Sequence, residues 1–158
     1  MTLHKADKFT HLGYVLNILA QNKEQCYRTA ADIRELAENA IAHDQIEFYF
    51  QQTFPVGYVA WAYLSEEVIG RMLYYHHKLH FSEWYEGKYL WIMDICFIDK
   101  RHENLWFDFL CRIFAKYKYI YWSDNTFNSN RIYKINIKSR RISYIETAKF
   151  MEILGRKE

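Results

Sequence analysis

Several things are scarce in this sequence. Its 158 residues include one proline and five glycines. That excludes collagen-like, linker-like and loop-dominated chains. There are three cysteines, Cys26, Cys96 and Cys111. Three thiols cannot all pair within one chain, and these spacings match no zinc module. They point to a reduced compartment. No stretch approaches the roughly 18 uncharged apolar residues that a membrane span needs. The opening MTLHKADKF has neither an apolar core nor a small-residue cleavage site, so the expectation is a cytoplasmic protein. No Gly-rich phosphate loop, Walker pattern or G-x-S-x-G elbow is present. A nucleotide or coenzyme A pyrophosphate therefore has no evident cradle, and no bound cofactor is expected. No repeat, low-complexity tract or Pro/Gly/Ser linker interrupts the chain, and residues 1–158 read as a single domain.

Aromatic residues are abundant: 14 Tyr, 11 Phe and 5 Trp. Such residues favour strands and wide apolar contacts. Apolar spacing predicts helices over Phe9 to Ala20, Thr29 to Ala42, Ser65 to about Leu79, Glu103 to Ala115 and Ser143 to Leu154. Alternation predicts strands over Gln45 to Gln51, Tyr58 to Leu64, Tyr117 to Trp122 and Arg131 to Ile137. Turns are expected at Thr53 to Gly57 and Ser123 to Asn130. Tyr89 to Ile98 (YLWIMDICFI) is almost wholly apolar and suits a central strand. The order ααββαβαββα describes a mixed α/β (α+β) layer protein with a mostly antiparallel sheet flanked by helices.

Asp94 sits in the middle of that apolar strand. An ionised carboxylate there needs donors or a cation. A neutral one has a raised pKa, which suits acid–base work. The alternative is a structural Asp that receives main-chain N–H groups at a bulge. Cys26 lies in a polar stretch between Lys23 and Arg28, just before a helix. Those charges and the helix N-terminus favour a thiolate. An inert thiol is the other reading, and it is the one that fits Cys96 and Cys111. His76, His77 and His80 would place two imidazoles on one helix face. A zinc site needs a third ligand. None is in place, so no metal is assigned, and histidines at a solvated helix end are the simpler reading.

Charge is uneven. Residues 116–141 hold seven basic side chains against Asp124 alone, whereas residues 1–115 hold eleven basic and fifteen acidic ones. A basic segment interleaved with Tyr and Trp fits a nucleic-acid backbone, an acidic protein partner, or a solvated sheet edge. No nucleic-acid motif accompanies it, and no nucleic-acid partner is expected.

Three stretches resemble the toxin-activating lysine acyltransferases, the proteins that modify RTX toxins before export. Phe54-Pro55-Val56-Gly57-Tyr58-Val59-Ala60-Trp61-Ala62-Tyr63-Leu64-Ser65 is similar to the family's Tyr-Pro-Val-x-Tyr-x-x-Trp-x-x-Leu-Ser signature. Leu12-Gly13-Tyr14-Val15 is similar to the opening of its first helix. Glu83-Trp84, Gly87 and Trp91-Ile92-Met93-Asp94 are similar to the loop and strand carrying its catalytic Asp. The pieces lie in register without gaps, and the resemblance fades after about Ala115.

This resemblance implies a Gcn5-related acetyltransferase-like fold, usually dimeric. It implies an acyl group delivered by acyl carrier protein and accepted by a toxin precursor. The basic segment then has an acidic candidate partner. Asp94 carries over as catalytic. Trp61, Ser65 and Trp91 carry over as substrate-binding, the tryptophans as apolar walls, although plain core suits them equally. The family's catalytic His falls at Gln25, with Cys26 beside it. An amide cannot take a proton from an amine at neutral pH. Either Cys26 replaces the His, or His11 supplies the imidazole, or the chain works with a partner. The last option resembles a branch that matures siderophore-microcins. There a small subunit and a larger maturation partner join a glucosylated siderophore to the C-terminal Ser of a microcin precursor. A non-catalytic binding subunit is the alternative.

Overall fold

A computed structural model describes residues 3–123 and 131–155. The turn expected over 123–130 falls, beyond Ser123, outside the described residues. The helices are α1 (Leu3–Gln21), α2 (Ala30–Ala42), α3 (Glu66–Tyr75), α4 (Lys100–Glu103), α5 (Trp106–Ile113) and α6 (Thr147–Gly155), with a 3-10 turn at Ser82–Trp84. The strands are β1 (Ile46–Gln51), β2 (Phe54–Leu64), β3 (Tyr89–Phe97), β4 (Tyr119–Ser123), β5 (Arg131–Asn136) and β6 (Arg141–Glu146). They form a six-stranded sheet in the order β1-β2-β3-β4-β5-β6. The β1–β2, β4–β5 and β5–β6 pairs are antiparallel, and β3–β4 is parallel. The expected mixed α/β class, with a mostly antiparallel sheet and flanking helices, is observed.

The described residues group into two compact units. The first falls within Met1–Trp61 and Met93–Leu110. Here α1 buries Val15, Ile18 and Leu19, and α2 buries Ile33, Ala37 and Ala40. Thr29 caps α2 by accepting from the Asp32 N–H, and its own hydroxyl donates to the Asp32 carboxylate at 2.6 Å. Both bonds run through the Thr29 hydroxyl, which caps the helix and holds the acid of its first turn. The β1–β2 turn is tighter than expected. Gln52 takes a left-handed φ of 56°, and β2 already begins at Phe54. Pro55 is the second residue of β2 and pairs with Phe50 beside the register shift between Tyr49 and Phe50, the kind of position where a strand tolerates proline. Gly57 is required by close approach: a Cβ there would lie 2.3 Å from the Phe97 ring.

The second unit falls within Ala62–Ile92 and Cys111–Glu158. Ser65 caps α3 by accepting from the Val68 N–H. That helix ends at Tyr75, not near Leu79, because His76 turns left-handed with φ 50°. The i, i+4 helical spacing expected for His76 and His80 is therefore not realised. A second correction concerns the C-terminal part. Arg141–Glu146 is a strand, not the start of a helix. Its Arg-Ile-Ser-Tyr-Ile-Glu alternation pairs fully with β5, and Arg140 supplies a positive φ of 53° in the connecting turn. The helix follows at Thr147. The helix expected from Glu103 to Ala115 is the shorter α5, Trp106–Ile113, and the one-turn α4 precedes it at Lys100–Glu103.

The interleaved cations and aromatics of the basic segment meet on this unit. Lys134 lies 4.1 Å and Lys118 5.1 Å from the Tyr119 ring centroid, and Arg131 lies 4.6 Å from that of Tyr144. Each contact stabilises a strand face by roughly 0.5–1 kcal/mol at an exposed site.

Candidate functional site

Asp94 lies on β3 in the first unit, with its side chain 8% exposed. Arg28 donates to it through both terminal nitrogens, Nη1 to Oδ2 at 2.6 Å and Nη2 to Oδ1 at 2.9 Å. The Tyr58 hydroxyl donates to Oδ2 at 2.5 Å. The donors seen on this carboxylate are side chains, so the bulge reading of Asp94 does not describe its surroundings.

The segment after α1 folds so that Arg28 reaches this point. Asn22 Oδ1 accepts from the Glu24 and Gln25 N–H groups, each at 2.9 Å. Its Nδ2 donates to the Phe97 carbonyl at 2.7 Å. This Asx turn ties the end of α1 to the end of β3. Gln25 Oε1 then accepts from Arg28 Nε at 2.8 Å. Three hydrogen bonds therefore aim the guanidinium, whose side chain is 29% exposed.

The electrostatics follow from this geometry. The hydrogen bond to Asp94 raises the Arg28 pKa beyond its already high value, with burial opposing it. Burial is the largest cause raising the Tyr58 pKa, and the Asp94 charge adds to it. Burial, with Asp94 nearby, pushes the Cys96 thiol up to about 12. Cys96 is thus a buried, protonated thiol, as its apolar context implied.

The other expected site residues separate. Gln25 sits one residue removed from Asp94, through Arg28. Cys26 is exposed, with Sγ–H on the Lys23 carbonyl at 3.6 Å. His11 packs its ring against Phe48 and Tyr14. Trp61 is 8% exposed, and its main-chain N–H donates to the Gln45 carbonyl in the first unit. Ser65 and Trp91 belong to the second unit. The Ser65 hydroxyl is occupied as a helix cap. Trp91 is 1% exposed and stacks on Tyr121 with the rings 11° apart. Its place is the aromatic core. A cavity of about 330 Å³ in the first unit is lined by Asn17, Gln21, Gln51, Gln52, Phe54, Pro55, Val56 and Ile98, a set that does not include Asp94.

The profile of the RTX toxin acyltransferase family, HlyC, matches residues 4–144. The chain belongs to the RTX toxin acyltransferase family. No curated protein matches it significantly. The match runs to residue 144, past Ala115 where the motif resemblance fades. Toxin-activating acyltransferase is thus the activity class of this chain's family, and a toxin precursor is its class of substrate.

Two residues that hold Asp94 escaped the sequence reading as its partners. Arg28 was visible only as a neighbour of Cys26, and Tyr58 only as a letter of the signature. The usable signal was chemical. A carboxylate in an apolar strand demands a cation, and Arg28 is a basic residue three positions after Gln25. Tyr58→Phe is expected to cost about 1–2 kcal/mol in chemical denaturation, because it deletes one donor to a buried charge.

The same unit holds an imidazole–carboxylate pair that sequence reading also missed. His102 Nδ1 lies 2.8 Å from Asp99 Oδ1, and its Nε2 lies 2.8 Å from Gln51 Oε1. Asp99 caps α4 through the Arg101 and His102 N–H groups. Burial opposes its charge, but hydrogen bonds from Arg101 and His102 prevail and lower its pKa from 3.8 to about 2. A depressed acid stabilises above its unfolded pKa and loses that contribution as pH falls through the folded one. Asp99→Asn keeps the cap and removes the charge. In thermal melts the two proteins should differ above pH about 4 and converge as pH falls toward about 2.

Proposed function

We propose that this family member matures an exported toxin or peptide precursor in the producing cytoplasm, with Arg28 and Asp94 as the centre of its site. The observation that carries this reading is the side-chain cage around Asp94. A carboxylate on the central strand, at the position corresponding to the family's catalytic Asp, orients a guanidinium by two hydrogen bonds. An Arg has five N–H donors, and three are used here. The remaining two, on a partly exposed group, suit the carbonyl of an acyl donor and the oxyanion that forms on it. Asp94 acts through Arg28 in this reading and is a positioning residue. A Gcn5-related arrangement accommodates such a site, and the mixed sheet is compatible with it.

Gln25 supplies no base, so deprotonation of the acceptor falls to another group. That favours the branch in which a small subunit works with a larger maturation partner, on a microcin C-terminal Ser and a glucosylated siderophore. An acyl group from acyl carrier protein is the donor otherwise, with the basic strands of the second unit as its docking face. Cys26 is exposed beside this segment and is the residue that would replace the family His if the chain acts alone.

One observation favours a second reading, a non-catalytic binding subunit: both carboxylate oxygens of Asp94 are engaged by Arg28. A reconstitution separates the two. The purified chain is incubated with an acyl carrier thioester and a precursor peptide, and the peptide mass is followed. Turnover without a second protein establishes the enzyme. A mass shift that appears only after a partner is added establishes the subunit.

A further inference from the structure

Between α3 and β3 the second unit folds back on itself at the 3-10 turn Ser82–Trp84. That turn returns a carboxylate to two imidazoles. His77 Nε2 lies 2.9 Å from Glu83 Oε2, and the His80 main-chain N–H donates to the same oxygen at 2.7 Å. Arg71 Nη2 holds the other oxygen, Oε1, at 2.6 Å. The ligand atoms of His77, His80 and Glu83 all lie within 4.8 Å of one another. The third ligand that spacing alone did not provide is Glu83. It is supplied by the turn, not by a helix face.

We propose that His77, His80 and Glu83 bind a divalent transition-metal ion of the zinc class. Two imidazole nitrogens and one carboxylate oxygen are the donor set that such ions take, whereas calcium and magnesium prefer oxygen alone. Three protein ligands leave a fourth position for water or another ligand, and one of the three, His80, is exposed. The dimensions are close to those required. Ligand atoms around a tetrahedral zinc, with bonds of about 2.0–2.1 Å, sit roughly 3.3 Å apart. The His77–Glu83 pair opens by a few tenths of an ångström to admit the ion. The exposed His80 ring swings in from within 4.8 Å.

The surroundings are those of a supported site. Arg71 stays on the free carboxylate oxygen, and the His80 N–H stays on the ligating one, so Glu83 remains aimed while its charge is shared. A carboxylate only accepts, so the His77 ring proton sits on Nε2 in the present arrangement. Binding at Nε2 moves that proton to Nδ1, or releases it if the ring is already charged. Because all three ligands lie within seven residues of chain, the ion would clasp the segment that leads into β3.

The test is direct metal binding to the full chain after chelation, with cobalt(II) as the probe and zinc(II) as competitor. One equivalent of cobalt should bind with the visible absorption of a tetrahedral site, and zinc should displace it. His80→Ala, at an exposed position, should fold as the parent protein does and weaken binding at least about 10-fold; His77→Ala should weaken it about 100-fold or more. Failure of saturable one-equivalent binding overturns the proposal. So does unchanged affinity in His80→Ala, or a sulfur-to-cobalt charge-transfer band, which would place the ion on cysteine. None of these results bears on Arg28 and Asp94, so the two readings fail independently.

Discussion

Asp94→Asn is expected to abolish precursor modification, seen as loss of the mass shift. It should also lower stability by about 2–3 kcal/mol, because it leaves a partly buried guanidinium without its counter-charge. That cost is discounted from the fully buried case, since the Arg28 side chain is 29% exposed. The single variant therefore confounds chemistry with folding. The double variant Arg28→Gln with Asp94→Asn separates them. Removing both charges should recover most of the lost stability in urea melts, to within about 1 kcal/mol of the parent, since a neutral pair carries no stranded ion. Modification should stay absent. If activity returns together with stability in the double variant, Asp94 serves the scaffold, and the proposed site is wrong.

Gly87→Ala is expected to be the most damaging small change in the second unit. A Cβ on Gly87 would lie 1.7 Å from the Leu64 carbonyl carbon, 1.9 Å from its oxygen and 2.0 Å from the Ser65 nitrogen. These are main-chain atoms at the cap of α3, and none can swing aside as a side chain would. The Gly87 N–H also donates to the Tyr63 carbonyl at 2.8 Å, which pins the contact. Relief requires β2 and the loop to part, which breaks that bond and uncaps Ser65. The combined cost is about 4 kcal/mol or more, in the exceptional range for a single substitution. Thermal melts should show a fall in Tm of roughly 8–16 °C or more, or no cooperative transition, for a domain of this size. A change of only a few degrees would mean that the two backbones are not held in contact.

Local pattern carried much of this structure. The apolar run around Asp94 is a buried strand because its flanking residues have no polar face to present. The Thr29 and Ser65 caps are where a hydroxyl precedes an acidic first turn. Where local reasoning erred, a longer-range or stereochemical condition intervened. The end of α3 depends on a left-handed His76, a conformation that histidine visits more readily than most residues but that is uncommon for any non-glycine residue and is not signalled by apolar spacing. The sequence assigned Ser143 onward to a helix, and only the ladder with β5 makes residues 141–146 a strand. Trp91 reads from sequence as a pocket wall or as plain core, and the fold buries it against Tyr121.

Sequence alone pointed to the family, through the spacing of Pro55, Tyr58, Trp61 and Asp94, before the profile match over residues 4–144 showed it, and to the class of fold, through apolar periodicity. It also marked Asp94 as anomalous, because a charge among apolar residues is costly wherever the chain goes. The tertiary structure decided how that cost is met, by Arg28 sixty-six residues away in the chain, and which oxygen faces His77. Burial is a property of composition along the chain. Pairing between distant charges is a property of the fold, because nothing local specifies which donor arrives.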